Sequence, residues 1–171
     1  MREYATFLGE MLWFFVPAIV ANMAPGWGGA LFPGLNRPIS RQWLGTGKTW
    51  LAYPMGIGFA ILTIYLQRMF EFPGVIDYRR GDLWLVGLLM GTGAILGDHV
   101  ESFCKRMRGI PRGEPWWPWD VLDYVIGGLL LVSSVVWIGW SRALLLAGAI
   151  LVFHYPVNAI GYLLGHRKRI L

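Results

Sequence analysis

Between Gly97 and Asp123 the chain sets acids and bases at helical spacings. Asp98, Glu101, Ser102 and Lys105 stand at i, i+3, i+4 and i+7, so on a helix they share one face. Asp120 and Asp123 form a second i, i+3 pair at the head of the next apolar run. Lys105, Arg106, Arg108 and Arg112 lie between the two acidic pairs. Carboxylates at membrane level are expensive, roughly 2.5–3.5 kcal/mol each at a bilayer centre on an insertion scale. Acids flanked by cations therefore point to a site that holds a metal ion and a polyanion together. Hard oxygen ligands suit Mg²⁺, which takes one or two carboxylates and completes its shell with phosphates and water. Two such ions can stabilise the attacking and leaving oxygens of a phosphoryl displacement. A plainer account makes Asp120 and Asp123 helix-start acids favoured by the dipole, and the basic cluster a topology signal. The dipole account leaves Asp98 and Glu101, opposite a basic cluster, unexplained.

A second cluster is Gly45-Thr46-Gly47-Lys48-Thr49-Trp50. Glycines around a Thr, then Lys-Thr at an expected helix start, can offer backbone N–H groups and an ammonium to phosphates. The first glycine and the spacing of a Walker A motif are absent. Asn22, in Ala21-Asn22-Met23-Ala24-Pro25, is expected beside a helix break, where it can meet a nucleotide or a lipid headgroup. His154 and Asn158, four apart, read as interhelical hydrogen-bonding residues. Trp116, Trp117 and Trp119 read as an interfacial aromatic belt, and His99 and Cys104 as structural.

The elements that must position these groups are membrane helices. Hydrophobic residues make up 56% of the 171 and charged residues 15%, against about 25% charged in soluble domains. The reading is a single all-α integral membrane domain over residues 1–171. Apolar runs of near-spanning length, about 17–25 residues, cover Phe7–Met23, Thr49–Met69, Leu83–Ser102, Val121–Trp140 and Ala143–Leu164. The first carries Glu10 and lacks a small-residue cleavage pattern, so it is expected to stay as a span. Ser141 and Arg142 are expected to join the last two spans in a tight hairpin. Gly87/Gly91 and Gly93/Gly97 repeat the GxxxG spacing in the third run and make that helix central. One cysteine excludes a disulfide framework and a Cys-rich metal site.

Five spans put the termini on opposite sides. Ten basic residues fall on one side: Arg37, Arg41 and Lys48, then Lys105, Arg106, Arg108 and Arg112, then Arg167, Lys168 and Arg169. Arg2, Arg68, Arg79, Arg80 and Arg142 make five on the other. By the positive-inside rule the N-terminus lies outside, the C-terminus in the cytosol, and every chemically suggestive loop on the cytosolic face of the cell membrane. The basic residues are dispersed among short loops, which fits a phosphate- or membrane-facing role and not a nucleic-acid partner.

The residues Gly97-Asp98, Glu101-Ser102, Lys105-Arg106, Pro111-Arg112-Gly113 and Asp120-x-x-Asp123 resemble the phosphatidate cytidylyltransferase superfamily. The Pro-Gly-His-Gly-Gly and Asp-Arg elements of the bacterial enzymes are missing. With the Ala-Asn-x-x-Pro at Asn22 and the Gly-x-Gly-Lys-Thr-Trp at Lys48, the whole chain is most similar to the archaeal branch, the CDP-archaeol synthase family. That resemblance implies a CTP-dependent nucleotidyltransferase acting on an isoprenoid ether-lipid phosphate, 2,3-bis-O-geranylgeranyl-sn-glycerol 1-phosphate, with release of pyrophosphate. It implies that Asp98, Asp120 and Asp123 hold Mg²⁺ and that Lys48, Lys105 and Arg106 bind phosphates. Asn22, Thr49, Ser102 and Arg112 are its further nucleotide- or metal-site candidates. An apolar groove between helices is expected to admit the lipid from the side. The competing readings are a cation-coupled transporter using Asp98, Glu101 and His154, and a non-catalytic scaffold built on the GxxxG contacts. Transporters spread polar groups through the bilayer and often carry inverted repeats; here no repeat is evident and the charges gather at one face.

Overall fold

The structure is a computed structural model that describes residues 2–70, 74–79 and 81–163, with side chains described from 7 to 156 within those ranges. Five α-helices make up the described chain: α1 (Arg2–Leu31), α2 (Ala52–Arg68), α3 (Leu83–Met107), α4 (Trp119–Val132) and α5 (Trp140–Leu163). A single 3₁₀ turn, Pro33–Leu35, follows α1. Two helical stretches, Phe7–Leu31 and Leu83–Met107, are each 25 residues long and apolar enough to cross a bilayer. The Asn158 side chain and the basic residues Arg167, Lys168 and Arg169 lie outside the described residues.

α3 is the centre of the bundle because its glycines offer two close-approach seams. Gly87 and Gly91 face α2, where a Cβ on either would come within 2.8 Å of the Cα of Ile61 or Ile57. Gly93 and Gly97, about 120° round the helix by its 3.6-residue period, face α4. A Cβ there would run into the backbone carbonyls of Gly127 and Asp123. Without side chains in the way the backbones touch, which is how helices associate where lipid removes the hydrophobic drive. Around these seams Met11, Phe14, Phe15, Val86, Met90, Ala94, Val121 and Val125 close the core.

Three sequence expectations change here. α1 does not break at Asn22: it runs through Pro17 and Pro25 to Leu31. A proline inside a helix removes one backbone bond, and in a membrane neighbouring helices can make good such a loss. Ala21 and Ala24 are fully buried there, and α1 packs closely on α2 at Gly28 and Gly56. Pro54 costs α2 little, since it lies in the first turn, where N–H groups have no intrahelical acceptor. The expected tight hairpin after the fourth run is instead a seven-residue connection, residues 133–139. The Ser133 and Ser134 hydroxyls donate to the carbonyls of Leu130 (2.6 Å) and Leu131 (2.8 Å), the N–H groups of Val135 and Val136 both reach Val132, and Gly139 at φ 83° redirects the chain. With 14 residues α4 is about 21 Å long, short of a hydrocarbon core of about 30 Å.

Candidate functional site

The C-terminal end of α3, the N-terminal end of α4 and the loops after α1 and α3 meet at one end of the bundle. Four of the buried polar side chains sit on this part of α3: His99, Glu101, Ser102 and Lys105. Their spacing puts them inward, and each has a partner that makes burial tolerable. The Lys105 ammonium bridges two acids, Glu101 at 3.2 Å on its own helix and Asp120 across on α4. Asp120 uses its other oxygen to accept the backbone N–H of Trp116, closing the loop just before α4. The Ser102 hydroxyl donates to Glu101 at 3.3 Å.

Asp98 turns to the other side of α3, where Lys48 from the α1–α2 loop pairs with it. That loop is a small hairpin. Ile39 donates to the Lys48 carbonyl at 2.9 Å, Trp50 to the Arg37 carbonyl at 3.1 Å, and Pro38 bridges Thr49. The expected helix start at Lys48 is therefore wrong: α2 begins at Ala52, and Lys48 is presented from a hairpin arm. Thr49 is buried in the same hairpin, so its side chain is packed inward and not offered to a phosphate. The hairpin tip is fastened to the rest of the site twice. Arg112 from the α3–α4 loop donates to the Thr46 hydroxyl, and the Trp43 ring lies 5.8 Å from that of Phe103.

Asp123 completes the acidic set. It lies where Gly97 closes on its backbone carbonyl, within the electrostatic reach of Asp98, Glu101 and Lys48. Among the described residues it has no ion-pair partner. The three aspartates do not close on one point, and among the described residues no three Asp, Glu, His or Cys side chains form a ready metal cage. Instead four carboxylates, Asp98, Glu101, Asp120 and Asp123, face two lysines, Lys48 and Lys105.

Other sequence candidates are distributed differently. Arg106 gives its guanidinium to the Ile110 carbonyl and its Nε is buried, so it stabilises the turn after α3. Asn22, half-buried on α1, is brought to none of these pairs. His99 behaves as a structural residue: its Nδ1–H donates to the Ile95 carbonyl at 2.5 Å and its ring rests 5.3 Å from that of Tyr53. Arg108, from the basic cluster, and Trp116, from the expected aromatic belt, also meet here. Arg108, at the C-cap of α3, stacks its guanidinium 4.5 Å over the Trp116 ring. No helical spacing signals that contact, because the loop must fold back to make it.

A groove of about 550 Å³ runs between α3 and α4 from this polar end. Leu96, Val100, Ile126 and Leu130 line its length, and Glu101, Asp123, Arg108 and Trp116 its end. Val100 and Leu130 are 60% and 69% exposed, so the groove opens sideways. The arrangement thus joins a laterally open apolar groove to the acids and cations at its end.

Comparison with known proteins bears on this geometry. Residues 5–170 match the model of a family described as CarS-like, CDP-archaeol synthase. The chain is 35% identical over 162 residues to the CDP-archaeol synthase of Methanospirillum hungatei JF-1, covering 90% of this chain and 98% of that protein. It is 36% identical over 166 residues to the CDP-archaeol synthase of Methanopyrus kandleri, covering 92% and 90%. Among solved structures it is similar, with a TM-score of 0.71 and 25% identity over 86% of this chain and 92% of the other, to a protein described as an intramembrane enzyme for archaeal membrane lipids biosynthesis.

Proposed function

As a member of the CDP-archaeol synthase family, the chain is a CTP-dependent nucleotidyltransferase of archaeal lipid synthesis, and we propose that its reaction takes place where the α3–α4 groove meets the lysine-bridged carboxylates. The substrate is 2,3-bis-O-geranylgeranyl-sn-glycerol 1-phosphate. Its phosphate oxygen bonds to the α-phosphorus of CTP, the bond from that phosphorus to the bridging oxygen breaks, and pyrophosphate leaves. A CDP-activated lipid remains in the membrane.

The observation that carries this reading is the groove itself, apolar and laterally open along its length and ending on Glu101 and Asp123. No covalent nucleophile is called for, because phosphoryl transfer is mostly positioning and charge neutralisation. Lys48 and Lys105 are the ammonium groups nearest the carboxylates, and each can turn from its acid to a phosphate oxygen by side-chain rotation. Arg112, on the hairpin tip with Thr46, adds a guanidinium on the nucleotide side. Asp98, Asp120 and Asp123 are the ligands for Mg²⁺. The donor set fits, since carboxylate oxygens are the hard ligands Mg²⁺ prefers and it needs only one or two of them once substrate phosphates supply the rest. When bound, the ion neutralises charge building on the phosphoryl oxygens. Five membrane helices with a cytosolic site complete the reading: the basic residues of the α1–α2 and α3–α4 loops sit at the site end of the bundle, on the side the positive-inside rule assigns to the cytosol.

The test is pyrophosphate release by the purified protein in detergent with CTP, Mg²⁺ and the ether-lipid phosphate, with ATP, GTP and diacyl phosphatidate as alternatives. CTP-selective release requiring both lipid and metal is the expected result. Absence of release from folded protein with either lipid would overturn the assignment.

A further inference from the structure

Resting on the nucleotidyltransferase reading, we propose that Arg108, its guanidinium 4.5 Å over the Trp116 ring, is the cation that captures the phosphate of the incoming lipid at the mouth of the α3–α4 groove. Among the described residues lining the groove, Arg108 is the only basic one, and it shares the polar end with the acids Glu101 and Asp123. An anionic headgroup sliding in from the bilayer meets those two carboxylates first unless a cation stands ahead of them. Arg108 is placed to do this. It follows the last turn of α3, is exposed, and is stacked on an indole and not ion-paired with a described carboxylate.

The stack also sets the shape of the site. A guanidinium held over a ring by a cation–π contact spends none of its N–H donors on a carboxylate, so its fork can grip a phosphate through two parallel hydrogen bonds. Trp116 supplies an amphipathic ring suited to the membrane–water boundary. The other cations are engaged elsewhere: Lys48 on Asp98, Lys105 on Glu101 and Asp120, Arg106 on the Ile110 carbonyl, Arg112 on the hairpin. Cations for phosphate therefore fall into two sets. Lys48, Lys105 and Arg112 belong with the carboxylates and the hairpin, whereas Arg108 belongs to the groove. A phosphate on Arg108 can come from the lipid or from the nucleotide, and steady-state kinetics separates the two sources.

Full-length protein in detergent is assayed for pyrophosphate release, varying the ether-lipid phosphate at saturating CTP and CTP at saturating lipid. Arg108→Ala is expected to raise KM for the lipid phosphate roughly 10- to 100-fold while KM for CTP stays at the wild-type value. Arg108→Lys recovers part of that loss, since it keeps the charge but not the fork. Trp116→Leu raises lipid KM about 2- to 5-fold, and Trp116→Phe, which keeps a ring face, restores most of it. CTP affinity without lipid, followed by tryptophan fluorescence, reports on folding and is expected to be unchanged in Arg108→Ala. An unchanged lipid KM in Arg108→Ala, or a loss confined to CTP, overturns the proposal while leaving the enzymatic reading intact. An inactive wild type overturns the enzymatic reading instead.

Discussion

The two glycine seams of α3 use one spacing for two ends. On the α2 side, Gly87 and Gly91 press against Ile57, Ala60 and Ile61, and the side chains they meet are apolar. On the α4 side, Gly93 and Gly97 press against Gly127 and the backbone of Asp123, and the carboxylates begin within one residue of the seam. The first seam holds the bundle together. The second also sets the distance between the α3 acids and the α4 acids, so in the proposed reaction its geometry bears on the chemistry. GxxxG by itself announces close packing; what the packing is for depends on its neighbours.

The comparison can be broken most directly at the carboxylates. Asp98→Ala removes a metal candidate and leaves Lys48 without its acid. Pyrophosphate release is expected to fall by at least about 10²–10³-fold, with an unchanged melting profile in detergent. Wild-type rates in Asp98→Ala would show that the α4-side seam positions nothing catalytic.

The seams are then set against each other with one methyl group. In Gly97→Ala the new carbon meets the Asp123 carbonyl, so helix backbones must separate. Stability is expected to drop by about 3 kcal/mol, and the displacement of Asp123 to lower turnover per folded molecule by roughly 10²-fold. Gly87→Ala meets the Cα of Ile61 at 2.8 Å and should lose about 1–3 kcal/mol. Its turnover per folded molecule should stay near wild type. Thermal melts paired with rates corrected for folded fraction distinguish the two, and equal losses of turnover would erase the contrast.

The smallest effect is expected at Gly58, exposed on α2 with open space where a Cβ would go. Gly58→Ala should stabilise the helix by up to about 1 kcal/mol, the intrinsic preference of Ala over Gly. A destabilised Gly58→Ala protein would mean that this face of α2 is covered in the folded molecule.

Much of this was legible in order. Counting places Asp98, Glu101, Ser102 and Lys105 on one face; Glu101, Ser102 and Lys105 do turn inward together, as 3.6 residues per turn requires, whereas half-buried Asp98 is drawn aside to Lys48. The glycine pairs identified the central helix for the same reason. The break expected beside Asn22 is absent because Pro25 signals a break in a soluble helix, whereas in this bundle α1 packs on through it to Leu31. Lys48 was assigned to a helix start because Gly-Lys-Thr mimics one; the bridge from Pro38 to Thr49 depends on a return of the chain that local preference does not encode.

The sequence alone determined that this is an apolar, all-helical chain with acids and bases massed at helix ends, and that the third helix is its hub. These properties follow from composition and from a periodicity internal to each segment. Which charges meet was decided only by tertiary structure. Lys48 takes Asp98, Lys105 joins Glu101 to Asp120, Asp123 stays outside these ion pairs, and Arg108 lies over Trp116 at the groove mouth. Such pairings depend on how closely two helices cross and how a loop folds back, and those distances are set by residues far apart along the chain.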